Sequence, residues 1–512
     1  MKDLELYPKQ QILIPNIATI SSFKLLVRSI VTLGVCSGFT IPASADITTG
    51  GDGTVVNQSG NTFNITGGTP SGNNGNNLFH SFGTFNLTTT QTSTQPISQV
   101  ANFLPGANIQ NIFGRINSGQ PSSINGTIQV NGGTSSNVVN LYLMNPAGIV
   151  FGKNASLDIN GAFTATTAKA IDFGNGNWFN ALGANTYTEL KGNPIGLAFP
   201  GSTPGSIFSA ATLTTTPGKS ITLVGGTVIS TGDIKTAGGN ISITTVGGGK
   251  YVEIKAEGNI LGMAIPISTN NINGEAKSFT ALSLPELLTA TKPDLVATGV
   301  KNENGVVTLV GDPKAIDRAI ADGDTISRQN RPISSGDVIT KNLDASSLDH
   351  NGGNIYIESS QAILTADINT YSRVRDIETS GGALTLNSQT EIKTGTIDTN
   401  TSSSQLTEVK DALKGGNVNL STQTKDIIVD SIYTVADFNA SSDELRNLLA
   451  HGGNITINAT GLFRVIRPDE VISEFEQSPR SIVASPFGII SIHHGGTAFV
   501  TGGDEKSVAD SF

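Results

Sequence analysis

Gly352-Gly353-Asn354-Ile355-Tyr356-Ile357 is the stretch on which the reading of this chain turns. The pattern returns as Gly381-Gly382-Ala383-Leu384-Thr385-Leu386, as Gly415-Gly416-Asn417-Val418-Asn419-Leu420 and as Gly452-Gly453-Asn454-Ile455-Thr456-Ile457. Gly238-Gly239-Asn240-Ile241-Ser242-Ile243 stands upstream. Beyond the first copy, apolar residues follow at Ile363 and Ile368; beyond the second, at Ile392 and Ile397. Beyond the third the spacing drifts by one, to Ile427 and Ile432. Each unit therefore reads as three short strands with turns between them, over about 20 residues.

A four-residue strand with alternating apolar positions buries little alone. Stacked on copies of itself, it satisfies its backbone on its neighbours and aligns the inward Ile, Val and Leu. Glycine and asparagine at the bends are expected to supply positive φ. The fold class predicted is all-β: a right-handed parallel β-helix, or β-solenoid, with small helical insertions. The competing sandwich of hairpins calls for Asn-Gly or Asp-Gly turns between strands of equal length, and the fixed offsets favour the solenoid. At 20–25 residues per coil, the body would run to roughly 90 Å.

Composition agrees. Only 14% of the 512 residues are charged and 59 are glycine, against a usual charged share of about 25%. The net charge of −10 argues against an electrostatic nucleic-acid binder, so no nucleic-acid partner is expected. One cysteine rules out a disulfide scaffold.

Residues 1–45 read as a secretory signal peptide. Lys24 and Arg28 precede a mostly apolar run from Ile30 to Ile41, and Ala43-Ser44-Ala45 is an A-x-A cleavage site that releases Asp46. The leader carries four basic and two acidic residues, so its removal takes the charge from −10 to about −12, and Cys36 leaves with it. Three stretches look helical: Pro285 to Thr291, Asp312 to Ala321, and Ser441 to Ala450. The first two fall in 251–345, read as an insertion between a domain over 46–250 and further repeats over 346–512.

The most distinctive run is Leu141-Tyr142-Leu143-Met144-Asn145-Pro146-Ala147-Gly148-Ile149-Val150-Phe151-Gly152. It reads as a strand, a tight turn and a second strand. Pro146 fixes φ, Asn145 before it is pushed to the β region, and Gly148 can take positive φ.

Here the chain resembles the N-terminal secretion domain of filamentous haemagglutinin-type exoproteins of two-partner secretion, in cyanobacterial style. That family's Asn-Pro-x-Gly-Ile motif is matched by Asn145, Pro146, Gly148 and Ile149. Phe113-Gly114-Arg115-Ile116 and Pro121-Ser122-Ser123-Ile124-Asn125-Gly126-Thr127-Ile128 fit before it. Asn154 to Ile159, Gly161-Ala162-Phe163, Asn193 to Leu197 and Ile221 to Gly226 fit after it. A second motif of the family, Asn-Pro-Asn-Leu, is missing, and Thr84-Phe85-Asn86-Leu87 lies where it would sit. The resemblance implies a partner: an outer-membrane transporter that recognises the mature N-terminal domain through its own periplasmic domains. It implies export of an unfolded chain that folds outside as an adhesin-like exoprotein, secreted or held at the cell surface, with glycans or cell surfaces as ligands.

Enzymatic chemistry is not expected, nor a cofactor or metal. The five histidines His80, His350, His451, His493 and His494 lack metal spacing, and no Gly-x-Ser-x-Gly elbow occurs. The Gly-Gly-Asn repeats lack the Asp that a calcium-binding repeat needs. The alternative is a β-helical polysaccharide lyase or hydrolase, for which Asp344 with Asp349, or Asp367 with Asp398, would be the carboxylate pairs.

Overall fold

The computed structural model describes residues 46–72, 75–131, 138–254, 260–266, 300–303, 306–309, 334–374, 379–403, 413–438, 450–465, 482–483 and 490–494. Two long ladders of parallel strands dominate. The first joins the strand Asn77–Phe85 to Asn111–Ile116, Asn140–Met144, Phe163–Thr166, Ile221–Gly225 and Ile241–Thr245. It continues through Ile355–Ser359, Leu384–Ser388, Val418–Thr422, Ile455–Ala459 and Ile490–His494. The Gly-Gly units stack in register: Ile241, Ile355, Leu384, Val418 and Ile455 form one buried column, and Ile243, Ile357, Leu386, Leu420 and Ile457 another.

The second ladder carries the remaining positions of the repeat. Ile363, Ile392, Ile427 and Phe463 make one column. Ile368, Ile397 and Ile432 make the next, also fully buried. These side chains meet those of the first ladder in one continuous apolar core. The chain is thus a parallel β-solenoid.

The glycine pairs have a cause other than the expected one. Of the repeat glycines only Gly238 takes positive φ, at 86°. The others stand where two coils touch. A Cβ on Gly352, Gly381 or Gly415 would lie about 2 Å (1.9, 2.0 and 2.0 Å) from the carbonyl oxygens of Thr370, Thr399 and Thr434. A Cβ on Gly353, Gly382, Gly416 or Gly453 would lie 1.9–2.1 Å from the carbonyl oxygen of Gly239, Gly353, Gly382 and Gly416 in turn. The same threonines tie the corner: Thr370 Oγ1 donates to the Gly382 carbonyl at 2.6 Å, Thr399 Oγ1 to Gly416 at 2.7 Å and Thr434 Oγ1 to Gly453 at 3.0 Å. Close backbone approach, not chain reversal, is what excludes a side chain here.

Coil length departs from expectation. One turn takes 20 residues from Ile221 to Ile241, 58 from Phe163 to Ile221 and 114 from Ile241 to Ile355. The first ladder makes ten parallel steps, so at about 4.8 Å each it rises about 48 Å, roughly half of what 20–25 residues per coil required. Between Phe163 and Ile221 the surplus includes Ala170–Asp172, Trp178–Asn180 and Gly196–Phe199, which pair in a sheet apart from the two ladders. The strands Val338–Thr340 and Leu343–Asp344 already stack on their neighbours, so the solenoid resumes ahead of residue 346. The three helical stretches lie outside the described residues, apart from Ala450, which is in a strand. Among the described residues the helical element is one 3₁₀ turn, Tyr187–Glu189.

The first coils carry two additions. One is a cap: Ile47–Gly51 and Thr69–Pro70 pair antiparallel with the outer edge of Asn77–Phe85, and Thr54–Ser59 pairs antiparallel with Thr62–Gly67. The other is an antiparallel side sheet in the order Trp178–Asn180, Ala170–Asp172, Gly196–Phe199, Lys250–Ile254, Ile260–Pro266. It packs Ile171, Phe179, Leu197, Phe199 and Val252 onto an aromatic column of the first ladder. In that column Phe79 stacks on Phe113 at 5.1 Å, and Phe113 on Tyr142 at 4.5 Å. Burial pushes the Tyr142 phenol up to about 12.

Gly382→Ala or Gly416→Ala should each cost about 1–3 kcal/mol through overpacking against a backbone that cannot yield. Gly106→Ala, whose Cβ meets nothing within 4 Å, is the control and should stay within about 0.5 kcal/mol. Amide exchange over 384–388 and 418–422 measures the loss. Equal protection in all three variants would remove close approach as the reason for the glycine pairs.

Candidate functional site

The run 141–152 forms one corner of the solenoid. Leu141 to Met144 belong to the first ladder, and Ile149–Phe151 is a strand of the second, in register with Ser122–Ile124 below and Ile207–Ser209 above. Between them, Asn145 holds the turn. Its Nδ2 donates to the Gln120 carbonyl and to Ser122 Oγ, both at 3.0 Å. Its Oδ1 accepts the Ala147 N–H at 3.0 Å, and its carbonyl accepts the Gly148 N–H at 3.0 Å. Gly148 sits at φ 120°, which a side chain would strain. Pro146 faces the next coil so closely that a Cβ on Gly205 would come within 2.4 Å of its carbonyl oxygen. Asn145, Pro146, Gly148 and Ile149 are brought together, and all four are buried. Asn145 is wholly out of solvent, its amide shared among three coils.

Asn86-Leu87 does related work two coils earlier. Asn86 Oδ1 accepts the Ser123 N–H at 2.9 Å, and the buried Leu87 exchanges backbone hydrogen bonds with Ser123 and Asn125. The asparagine holds the corner there without the proline.

Two groups of residues that the sequence reading did not single out hold this region. Asn77, Asn111 and Asn140 stack one per coil. Asn111 Nδ2 donates to Asn77 Oδ1 and Asn140 Nδ2 to Asn111 Oδ1, each at 2.9 Å. The ladder ends on backbone: Asn77 Nδ2 donates to the carbonyls of Leu190 (3.0 Å) and Gly192 (2.7 Å), and Asn140 Oδ1 accepts the Ala162 N–H at 2.9 Å. Arg115 is the second tie. Its Nη2 meets Asp52 Oδ2 at 2.8 Å, and its Nη1 donates to the carbonyls of Asn180 and Gly183, both at 2.8 Å. One buried guanidinium so joins the cap, the second rung and the side sheet. Arg115 lies in the Phe113–Ile116 segment that matched the family. Its partners, 63 to 68 residues away, left no local signal.

Three of the carboxylates considered for catalysis accept backbone N–H groups, and Asp398 also meets a cation. Asp344 Oδ1 accepts the Ser346 N–H at 3.1 Å, and Asp367 Oδ1 the Thr396 N–H at 3.0 Å. Asp398 Oδ1 accepts the Asn400 N–H at 3.0 Å, and Asp398 pairs with Arg373 at 3.8 Å. Burial holds the Asp398 carboxyl above its ordinary value. The backbone N–H of Asp349 donates to Ser347 Oγ at 3.3 Å. In register, Asn369 stands between Asp344 and Asp398. Of the cleavage residues, Ala43 and Ala45 lie outside the described residues, while Asp46 is the first one described, its carbonyl accepting the Asn86 N–H at 3.1 Å.

Residues 42–286 match the family model described as TPS secretion domain. No curated protein matches. Among solved structures, the chain is similar to the HMW1 secretion domain from Haemophilus influenzae, at 16% identity over 88% of this chain and 98% of that one, with a TM-score of 0.36. It is also similar to the filamentous hemagglutinin secretion domain, at 14% identity over 82% and 99% of the two chains, with a TM-score of 0.32. Residues 42–286, whose described part folds as stacked parallel coils, are thus matched as a TPS secretion domain, which supports an exoprotein of two-partner secretion.

Proposed function

We propose that this exoprotein is an adhesin-like surface factor that binds glycans or cell surfaces through many weak contacts and does not turn over a substrate. The observation that carries this reading is the outer face of the first ladder beyond Ile241. Tyr356, Thr385, Asn419 and Thr456 stand there one per rung, half-buried or exposed, with Glu358, Asn387, Ser421 and Asn458 in the neighbouring column. Such columns offer hydrogen bonds at a regular repeat of about 4.8 Å, and repetition can raise avidity by roughly 10²–10⁴ without one strong site. The lyase or hydrolase reading draws no support from Asp344, Asp367 and Asp398, which accept backbone N–H groups.

The division into a leader (1–45), a secretion domain (46–250), an insertion (251–345) and further repeats (346–512) is part of the proposal, with the last boundary drawn back toward Val338. So is the role of Asn145, Pro146, Gly148 and Ile149. Their burial supports recognition before the coil closes: the transporter would read them on the unfolded chain, and the same residues would then set the corner outside.

Two experiments test this. Asn145→Ala leaves the Ala147 N–H and Ser122 without their partner and should cost about 1–3 kcal/mol in the purified protein. If the motif is also read during export, cleaved chain should build up in the periplasm and release should fall several-fold. Destabilisation with unchanged release would reduce the motif to a corner. For binding, the secreted chain is passed over a panel of polysaccharides and scored for retention and for released reducing ends or unsaturated products. Retention should weaken little on Thr385→Ala and strongly when the rungs between Ile355 and Thr422 are removed. Product formation abolished by Asp398→Asn would overturn the adhesin reading.

A further inference from the structure

We propose that the antiparallel cap on the first coil is an acid-released latch, with His80 as its trigger. His80 lies at the centre of Asn77–Phe85, the strand onto which Ile47–Gly51 and Thr69–Pro70 fold. It is 1% exposed. Its ring is packed between Phe82 and Phe103, with centroids at 6.0 and 5.8 Å. The cap closes its remaining side: a Cβ on Gly68 would lie 2.9 Å from Cε1 and 3.1 Å from Nδ1. Nδ1 is buried and has no hydrogen-bond partner among the described residues. A second ring proton would therefore point into a closed space with nothing to accept it.

The charged groups around it do not offset this. Asp52, on the turn between the first two cap strands, attracts the imidazolium. That carboxylate is already held by Arg115 Nη2 at 2.8 Å, with Ser81 Oγ also on Oδ2. Arg115 rises from the next rung and brings a positive charge to the same cluster, and Tyr187 of the 3₁₀ turn lies beside the pair. Burial outweighs the attraction of Asp52 and pulls the imidazole down to about 4.

The sign follows from linkage. The opened cap leaves His80 free to bind a proton near 6.5, whereas the closed cap binds one only near 4. Closure is thus fully favoured above about 6.5, weakens as pH falls toward 4 and changes little below that. At pH 4.5 the opening constant should rise roughly fifty- to hundredfold over its value at pH 7.5. The cap is also held by its antiparallel pairing, by Arg115 on Asp52 and by bonds such as Thr69 Oγ1 to the Asp52 carbonyl (2.9 Å) and the Ser81 N–H to Thr54 Oγ1 (2.9 Å). Release would bare the edge of Asn77–Phe85 and return the start of the secretion domain to an extended state while the distant coils stay closed.

Amide exchange on the secreted chain at pH 7.5 and 4.5, corrected for intrinsic rates, tests the latch. Amides over 47–85 should open roughly fifty- to hundredfold more at pH 4.5, and those over 355–359 and 384–388 should not. His80→Phe should keep the protection seen at pH 7.5 and lose the pH dependence. Should that variant fail to close at pH 7.5, the ring-proton titration of His80 in the wild-type chain decides: a midpoint near 4 supports the latch, and one near 6.5 overturns it. Cap exchange unaffected by pH, or an unchanged pH response in a folded His80→Phe protein, would also overturn it.

Discussion

A coil of this solenoid can satisfy its backbone only through the coils above and below it. Each strand of the two ladders is two to nine residues long and has its hydrogen-bond partners in neighbouring turns of the chain. Every other feature answers to that requirement. The glycine pairs let successive backbones approach until a Cβ would lie about 2 Å (1.9–2.1 Å) from the neighbouring carbonyl oxygen. The inward aliphatics stack at that same spacing into one core. The corner threonines and asparagines occupy the polar groups that the bends would strand.

A stack built this way needs an end. Strand edges left open invite pairing with other chains, and the cap at the first rung covers one by folding two short strands back on Asn77–Phe85. Arg115 ties that cap to the side sheet, and the asparagine ladder ties the side-sheet loop at Leu190–Gly192 to three rungs. The secretion domain is thereby cross-braced, whereas the later coils rest on repetition alone. The outer face changes with it. Over the first rungs it is aromatic and covered; from Ile355 on it is mostly threonine, asparagine and serine, with Tyr356 and Glu358, half-buried or exposed.

The turn from Asn145 to Ile149 is built into the folded corner. In the folded protein its asparagine is a structural amide, with donors and acceptors divided among neighbouring coils. Nothing of it is left for a partner to touch once the coil has closed.

The local code of the solenoid was legible in the sequence because it is written at short range. The offsets from Gly352 and Gly381 to Ile363, Ile368, Ile392 and Ile397 became register-matched columns, since one coil is built from contiguous residues. The Asn145 turn was legible for the same reason: proline and glycine constrain the backbone where they stand. Coil length was not, because a rung can pause for 20 or for 114 residues without disturbing the stack. The purpose of the glycine pairs was misread as positive φ, since steric closeness depends on carbonyls 18 or more residues away along the chain. Arg115, the Asn77–Asn111–Asn140 ladder and the burial of His80 were decided by tertiary structure alone. Each depends on partners brought together by the rise of the solenoid, at separations that follow no fixed period.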